Sequence, residues 1–196
     1  MKLKNKIRNF GVIILVVIAV VFLPSMVNGE KKDFFADFSI NFFSNSNADF
    51  RNEYRSLVMV PEISIGGFFS NKLYIFGGFE LFKVKGKTPE WNLDLEMKQH
   101  IFSLGTGYFH SFSKKMGLRG EFGIVYVSYT EKLSALKLEN KGSCIGFRLN
   151  TKLQYKISSL TDLYFKLGYT IAKDTVGDTK NNFGGFSTGF GVNFSF

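Results

Sequence analysis

The chain has 196 residues, enough for a single domain, and carries 25 basic and 16 acidic residues for a formal charge of +9. Four of the basic residues fall in the first eight positions, so the other 21 leave about +5, and no basic cluster with interleaved aromatic residues indicates a nucleic-acid partner. A single cysteine, Cys144, excludes a disulfide framework, while 24 Phe and only 3 Pro favour short aromatic β-strands.

The start of the chain predicts a secretory signal peptide. Residues 1–8 are basic without an acid, residues 10–23 are continuously apolar, and Gly29 suits a cleavage site. This apolar run is shorter than the roughly 18–20 residues that a spanning helix needs. We therefore predict a leader over residues 1–29 and a mature domain over residues 30–196, with an uncleaved N-terminal anchor as the alternative.

Apolar and polar residues then alternate in eight segments with the period of a β-strand that has one lipid-compatible face. In chain order the predicted strands are residues 33–43, 56–66, 73–84, 96–109, 117–129, 145–157, 163–172 and 186–196. Long polar loops are predicted at residues 44–55, 85–95, 130–142 and 173–182. They alternate with short turns at residues 67–72, 111–116 and 158–162. We also predict a bulge at Pro61, because proline removes a ladder donor.

The last strand shows the alternation most clearly. Its aromatic face carries Phe186, Thr188, Phe190, Val192, Phe194 and Phe196, and the residues between them are small or polar. Such a strand would be a sticky edge in water, whereas a closed barrel in lipid gives it two neighbours and an apolar solvent. We therefore predict an all-β fold, an eight-stranded antiparallel up-and-down transmembrane β-barrel, with both termini and the short turns on the periplasmic side. A soluble lipocalin-like barrel, with its apolar residues inside, is the alternative.

The last eight residues, G-F-G-V-N-F-S-F, and the rhythm of loops and turns resemble the small eight-stranded bacterial outer-membrane barrels. This family includes the OmpA transmembrane domain, OmpX, Ail and opacity-like proteins, and the resemblance covers nearly the whole mature chain. It implies an outer-membrane location among outer-membrane lipid and lipopolysaccharide. It also implies that the barrel assembly machinery reads an assembly signal formed by Phe190, Val192, Phe194 and Phe196.

Seven charged residues fall on the predicted inward face of the strands. They are Glu62, Glu80, Arg119, Glu121, Arg148, Lys152 and Lys166. Eight strands leave an interior that side chains just fill, and an unpaired charge inside it is costly. We therefore predict an interior ionic network that plugs the barrel, with separately solvated charges as the alternative.

The sequence contains no metal-ligand spacing, phosphate loop or nucleophile elbow, so we expect no cofactor. Barrels that modify lipid A use a His with a nearby Ser, and residues 110–113 (H-S-F-S) keep such a hydrolase as an alternative function. The preferred interpretation is a monomeric, non-enzymatic barrel that serves envelope integrity or surface interaction. Its four long basic loops would contact lipopolysaccharide phosphates or an anionic host surface.

Overall fold

The computed structural model describes residues 34–54, 56–176 and 179–196. The predicted leader lies outside these residues and stays a prediction. Within the described part of the chain, no helix has the length and apolarity needed to cross a membrane.

The described chain consists almost entirely of strands. They are β1 (Phe34–Asn45), β2 (Val58–Phe68), β3 (Leu73–Lys87), β4 (Asp94–Ser111), β5 (Met116–Leu133), β6 (Leu138–Lys156), β7 (Thr161–Val176), β8 (Thr179–Asn182) and β9 (Gly185–Ser195). A six-residue helix, α1 (Ala48–Glu53), lies between β1 and β2. A 3-10 turn (Ser134–Leu136) joins β5 to β6.

The strands close into a barrel through antiparallel pairs only. Each strand from β1 to β7 pairs with the next one along the chain. β9 pairs with β7 on one edge and with β1 on the other, where Val192 lies opposite Phe38. The short β8 pairs with the far end of β7 and extends this hairpin. The predicted eight-stranded up-and-down barrel is confirmed, with β9 as its eighth wall strand.

The barrel has two different ends. Phe34 and Phe196 lie at one end, together with the three short turns, and we call it the turn end. The hairpins β3–β4, β5–β6 and β7–β8 extend at the opposite end, where α1 also lies, and we call it the hairpin end.

Two of the four predicted long loops, residues 130–142 and 173–182, are mostly strand where the structure describes them, and a third, residues 85–95, is shortened to a turn at residues 88–93. Cross-strand pairs continue to Lys87 opposite Asp94 in the β3–β4 hairpin and to Leu133 opposite Leu138 in the β5–β6 hairpin. The β7–β8 pairs likewise run through the segment predicted as the fourth loop. Residues 44–54 lie largely outside the ladders, and they contain α1.

The physical reason for this difference is that the alternation reverses towards the hairpin end. Phe82 and Val84 of β3 are buried inside the barrel, as are Leu95 and Met97 of β4, while Lys83 between the first two faces outward. The period of two persists, but the apolar residues now point inward. A prediction based on apolar residues on the outer face therefore places the end of each strand too early.

The predicted bulge at Pro61 is wrong for the β1–β2 ladder, because Ile40 and Pro61 stay in register within an unbroken series of pairs. The missing N–H of Pro61 affects the other edge of β2 instead. The β2–β3 ladder begins only at Glu62 opposite Glu80, one residue beyond the proline. Among the described residues, β2 at positions 58–61 has no strand partner on that side.

Candidate functional site

Eight charged side chains fill the interior from the turn end to mid-height. Four are acids and four are bases, and each is at most 9% exposed: Asp37, Glu62, Glu80, Glu121, Arg119, Arg148, Lys152 and Lys166. The structure therefore places all seven residues expected from the sequence inside the barrel and adds Asp37. Their formal charges sum to zero, which is the condition under which a buried set can be fully paired.

Lys152 is the centre of one group. Its Nζ lies 2.8 Å from Asp37 Oδ2 and 2.7 Å from Glu121 Oε1. Asp37 also has Arg119 Nη1 at 3.7 Å from its Oδ1, and the Asn193 side chain donates to the same oxygen at 2.6 Å. Sequence reasoning missed Asp37, although its place between inward-facing positions of the first strand could have revealed it.

Two further ion pairs lie on neighbouring strands. Glu62 and Glu80 are directly opposite each other on β2 and β3, where two like charges repel. Each carboxylate has its own cation, because Lys166 donates to Glu62 and the Arg148 guanidinium contacts both oxygens of Glu80, with Nη2–Oε2 at 3.2 Å. Arg148 Nε donates to Thr170 Oγ1 at 2.8 Å, which fixes the guanidinium plane.

Aromatic rings surround Arg119 near the turn end. Its guanidinium carbon lies 4.4 Å from the ring centre of Phe35, 5.3 Å from that of Tyr74, 5.7 Å from that of Phe68 and 6.0 Å from that of Phe109. Cation–π attraction is stronger when the cation is desolvated, as it is at this buried position. The rings and the guanidinium together occupy this end of the interior.

The hairpin-end half of the interior is mainly apolar, which the sequence did not predict. One core cluster of fifteen buried residues fills it: Phe50, Tyr54, Val58, Val60, Phe82, Val84, Leu95, Met97, Ile101, Val125, Val127, Tyr129, Cys144, Ala172 and Phe183. Cys144 is a free thiol within this cluster. The barrel interior thus has an ion-paired layer and an apolar layer.

Helix α1 covers the apolar layer. The Phe50 ring lies 4.8 Å from that of Tyr54 and 6.1 Å from that of Phe82, so the helix is anchored by aromatic contacts. Its C-terminal end packs directly on β3 at Gly86, where a Cβ atom would lie 2.1 Å from the carbonyl oxygen of Glu53. Glycine at this position is what allows the close approach.

A small acidic group lies beside α1. The Tyr54 hydroxyl donates a hydrogen bond to Glu131, and burial together with that carboxylate raises the pKa of Tyr54, so the phenol stays a donor. Burial and the nearby carboxylates of Glu131 and Asp49 raise the pKa of Glu53. Because the pKa of Glu53 is raised, the charge at the C-terminal end of the covering helix changes with pH.

The outer surface carries an apolar belt. On β3 the outward residues run through Leu73 to Leu81, and the outward lysines begin at Lys83. On β9, Phe190 is 66% exposed and its ring packs against that of Phe165 at 5.2 Å. A barrel with its charges inside and its aromatic residues outside is suited to lipid rather than water, so the soluble lipocalin-like alternative is wrong.

Outward lysines follow the belt towards the hairpin end. Glu96 lies between two of them, 3.7 Å from Lys83 and 3.0 Å from Lys98. The hydrogen bond from Lys98 lowers the pKa of Glu96. Lys83 and Lys98 face each other across β3 and β4, so the single carboxylate leaves this pair with a net positive charge.

In the described structure, the contacts of the residues considered for hydrolysis do not form a His–Ser pair. The exposed His110 ring lies 6.2 Å from that of Phe112, and the Ser111 hydroxyl donates to the carbonyl oxygen of Ser113 at 2.8 Å. In the described ranges, no group of three or more His, Cys, Asp or Glu side chains is arranged to hold a metal.

The residues of the predicted assembly signal lie in the closing strand. Phe190 and Phe194 face outward on β9, Val192 is half-buried, and the exposed Phe196 donates its backbone N–H to the Phe34 carbonyl at 2.8 Å. Their recognition during assembly stays a prediction.

Solved structures of small outer-membrane barrels resemble this chain. Neisserial surface protein A is 16% identical, with 86% of this chain and 100% of that chain covered and a TM-score of 0.64. OprG from Pseudomonas aeruginosa is 11% identical over 86% and 98% of the two chains, with a TM-score of 0.67. Ail of Yersinia pestis, in complex with the heparin analogue sucrose octasulfate, is 11% identical over 84% and 97%, with a TM-score of 0.54.

Comparison with family models gives no match for the sequence, and comparison with curated proteins gives none either. The structural similarities confirm the predicted fold, that of the small eight-stranded outer-membrane barrels. The predicted location, the bacterial outer membrane, is the location of this class of barrel.

Proposed function

We propose that this protein is a closed, non-conducting and non-enzymatic outer-membrane barrel that supports envelope integrity and presents a rigid surface for interaction at its hairpin end. The observation that carries the proposal is the filled interior. Charges paired at close range occupy one half, and a hydrophobic core occupies the other.

Two separate barriers oppose ion flow in such an interior. In the first layer, Lys152 bridges Asp37 and Glu121 across the lumen, so a permeating ion has to break a buried ion pair. In the second layer, an ion enters a region lined mainly by apolar side chains, where its desolvation is costly. Either layer on its own is enough to block a pore of eight strands.

The rigidity of the hairpin end supports a role in surface interaction. Long paired hairpins and the anchored α1 replace the flexible loops of a simpler barrel, so a ligand meets a preorganised surface. Outward lysines such as Lys83 and Lys98 make an anionic ligand the best match. Ail, which has a similar fold, holds a sulfated heparin analogue in its crystal structure.

Conductance in planar bilayers tests the closed barrel. Purified full-length protein should give no large, stable single-channel openings, while its heat-modifiable gel mobility demonstrates that the barrel is folded. Large and stable openings from folded protein would contradict the proposal.

Binding to immobilised heparin tests the surface role. Vesicles that contain the protein should bind more strongly than empty vesicles, and the binding should weaken as the salt concentration rises because exposed charges are screened. Equal binding of heparin by empty vesicles and by vesicles that contain the protein would contradict a polyanionic ligand.

Lipid A mass spectrometry tests the non-enzymatic assignment. Cells that express the protein should show the same lipid A masses as cells that express His110→Ala. A mass shift that depends on His110 would instead support a lipid A hydrolase.

We also propose that the barrel is a monomer inserted by the barrel assembly machinery. Every wall strand has a partner on both edges for at least part of its length, and both edges of β9 are paired over most of the strand. A closed wall of this kind does not need a second subunit to satisfy its backbone. Chemical crosslinking in membranes should therefore leave the protein at the mass of one chain.

A further inference from the structure

The wall of the barrel contains a seam where the neighbouring strands β2 and β3 separate. β2 and β3 pair from Phe68 opposite Tyr74 up to Glu62 opposite Glu80, and no further pair joins them in the described residues. Beyond that point β3 continues to Lys87 with β4 as its partner, while β2 continues with β1. Pro61 lies where the seam opens, and proline has no N–H with which to extend the ladder.

A cleft of about 390 Å³ occupies this seam. Its lining residues are Leu57, Val58, Met59, Lys83, Val84 and Lys85. The side chains of Val58 and Val84 are buried and belong to the apolar core, so they separate the cleft from the interior. The seam is therefore an outward-facing recess and not a passage through the wall.

The outer lining of the cleft is amphipathic. Leu57 is 54% exposed and Met59 is 61% exposed, although both are large apolar residues. Lys83 and Lys85 face outward on β3, directly beyond Leu81, which is the last apolar outward residue of that strand. The cleft thus lies at the boundary where the apolar belt ends and the lysines begin.

We propose that the seam cleft binds a membrane lipid with a phosphate headgroup, with the phosphate held by Lys83 and Lys85 and an acyl chain lying along Leu57 and Met59. This proposal rests on the proposed membrane embedding and adds a ligand site to it. Lysine ammonium groups bind phosphate as point charges, and a basic cluster at the membrane boundary attracts anionic lipid.

The local charges support an anionic ligand. Lys98 and Glu96 of β4 lie beside Lys83, and Glu96 is also opposite Lys85. Three lysines therefore share one carboxylate, and the group keeps a net charge of +2. Farther along the same hairpin, Lys87 and Asp94 are opposite each other and cancel.

The position of the cleft selects a lipid over a free anion. Leu57 and Met59 continue the apolar belt, so a soluble phosphate compound would leave them without a partner, whereas an acyl chain would cover them. The cleft also lies at the edge of the lipid-facing belt. A site at this position is therefore exposed to membrane lipid at a high local concentration.

Three probes of matched chemistry test the proposal. Purified full-length protein in a neutral detergent is titrated with dimyristoyl phosphatidic acid, with dimyristoylglycerol and with glycerol 3-phosphate, and bound ligand is counted by native mass spectrometry. Phosphatidic acid combines the phosphate and the chains, while each of the other probes lacks one part. We expect both of the others to bind at least tenfold more weakly.

The double variant Lys83→Gln/Lys85→Gln should bind phosphatidic acid roughly thirtyfold more weakly, because each lysine at an anionic surface contributes about a factor of five. The control is Lys132→Gln/Lys141→Gln. These outward lysines share Glu139 at 3.5 and 3.3 Å on the β5–β6 hairpin, so the same charge is removed away from the seam. The control variant should keep the wild-type dissociation constant within about twofold, since it loses no contact at the cleft.

Four results would overturn the lipid site. They are unchanged binding in Lys83→Gln/Lys85→Gln, an equal loss in the control variant, tight binding of glycerol 3-phosphate, and tight binding of dimyristoylglycerol. Heat-modifiable mobility and bilayer conductance are recorded for every variant. A folded, non-conducting barrel without lipid selectivity removes only this site, whereas a conducting barrel removes the proposed function.

Discussion

Replacing Arg148 by methionine should destabilise the barrel strongly, because it leaves a buried carboxylate without its cation. The guanidinium contacts both oxygens of Glu80, and the side chains of Arg148 and Glu80 are 7% and 8% exposed. Glu62 lies directly opposite Glu80 on β2, so the unpaired charge also faces a like charge.

The expected magnitude follows from the burial of this pair. Removing one partner of a buried ion pair costs about 3–5 kcal/mol, whereas removing both partners together is often nearly neutral. Arg148→Met should therefore lower the free energy of unfolding by about 3–5 kcal/mol. The double variant Arg148→Met/Glu80→Leu, which puts apolar residues in place of both charges, should recover most of that loss. Loss of the bond from Arg148 Nε to Thr170 sets a smaller residual cost of about 1 kcal/mol.

Unfolding by guanidinium chloride in phospholipid vesicles, followed by gel mobility and far-UV circular dichroism, measures these differences. The one tryptophan of the chain, Trp91, is exposed in the turn between β3 and β4, so its fluorescence does not report the unfolding of the barrel. An equal loss in the single and double variants would refute the reasoning, because the cost would then come from lost packing. A loss in the single variant below about 1 kcal/mol would also refute it, since the pair would then behave as a solvated one.

Three further perturbations test other parts of the structure. Gly86→Val should loosen α1 and cost about 1–3 kcal/mol, because the new Cβ meets backbone atoms of Glu53 and Tyr54; proteolysis at the hairpin end measures the loosening. Because the pKa of Glu53 is raised, ionisation of this carboxyl lowers the free energy of unfolding as the pH rises above 4.5. Glu53→Gln should therefore stabilise the barrel more at pH 7.5 than at pH 5, as measured by denaturation. Deletion of Phe196 should reduce surface levels more than it reduces the unfolding midpoint of the purified barrel.

The first two of these perturbations have matched controls. Gly120→Val places a Cβ where nothing lies within 4 Å, and it should leave the proteolysis pattern unchanged. The control for Glu53→Gln is Glu90→Gln, in the exposed turn between β3 and β4, and it should leave the unfolding midpoint unchanged because this side chain is exposed. Equal behaviour of test and control variants would contradict the two structural arguments, and normal surface levels without Phe196 would contradict the assembly signal.

The wall of the barrel could be predicted from the sequence because alternation records which face meets lipid. The exposed Phe190 and the buried Asn193 lie on opposite faces of β9, as a period of two requires. The inward position of Lys152 and Lys166 follows from the same rule. Which acid pairs with which base could not be predicted, because partners such as Lys152 and Asp37 are 115 positions apart and meet only when the barrel closes.

The hairpin end could not be predicted because its side-chain pattern resembles that of a soluble barrel. Val125, Val127 and Tyr129 of β5 point inward above the membrane-facing part, and Lys132 is exposed on the outside. Helix α1 has six residues, too few for a recognisable helical period. The seam depends on where the β2–β3 ladder ends, and only the effect of Pro61 gives a local signal for it.

The two interior layers reflect two different solvents around one ring of strands. Where lipid surrounds the wall, moving an apolar side chain inward gains little, because lipid tails are as apolar as the core, so polar groups that pair can fill the interior. Where water surrounds the wall, apolar burial is favourable by about 25 cal/mol per Å², and the interior becomes hydrophobic, as around Phe82. The boundary between the layers lies near Glu62 and Glu80, at the rung where the β2–β3 ladder also ends. A recess at that height gives a lipid access to the last apolar outward residues and to the first lysines, which is the combination of contacts that the proposed site requires.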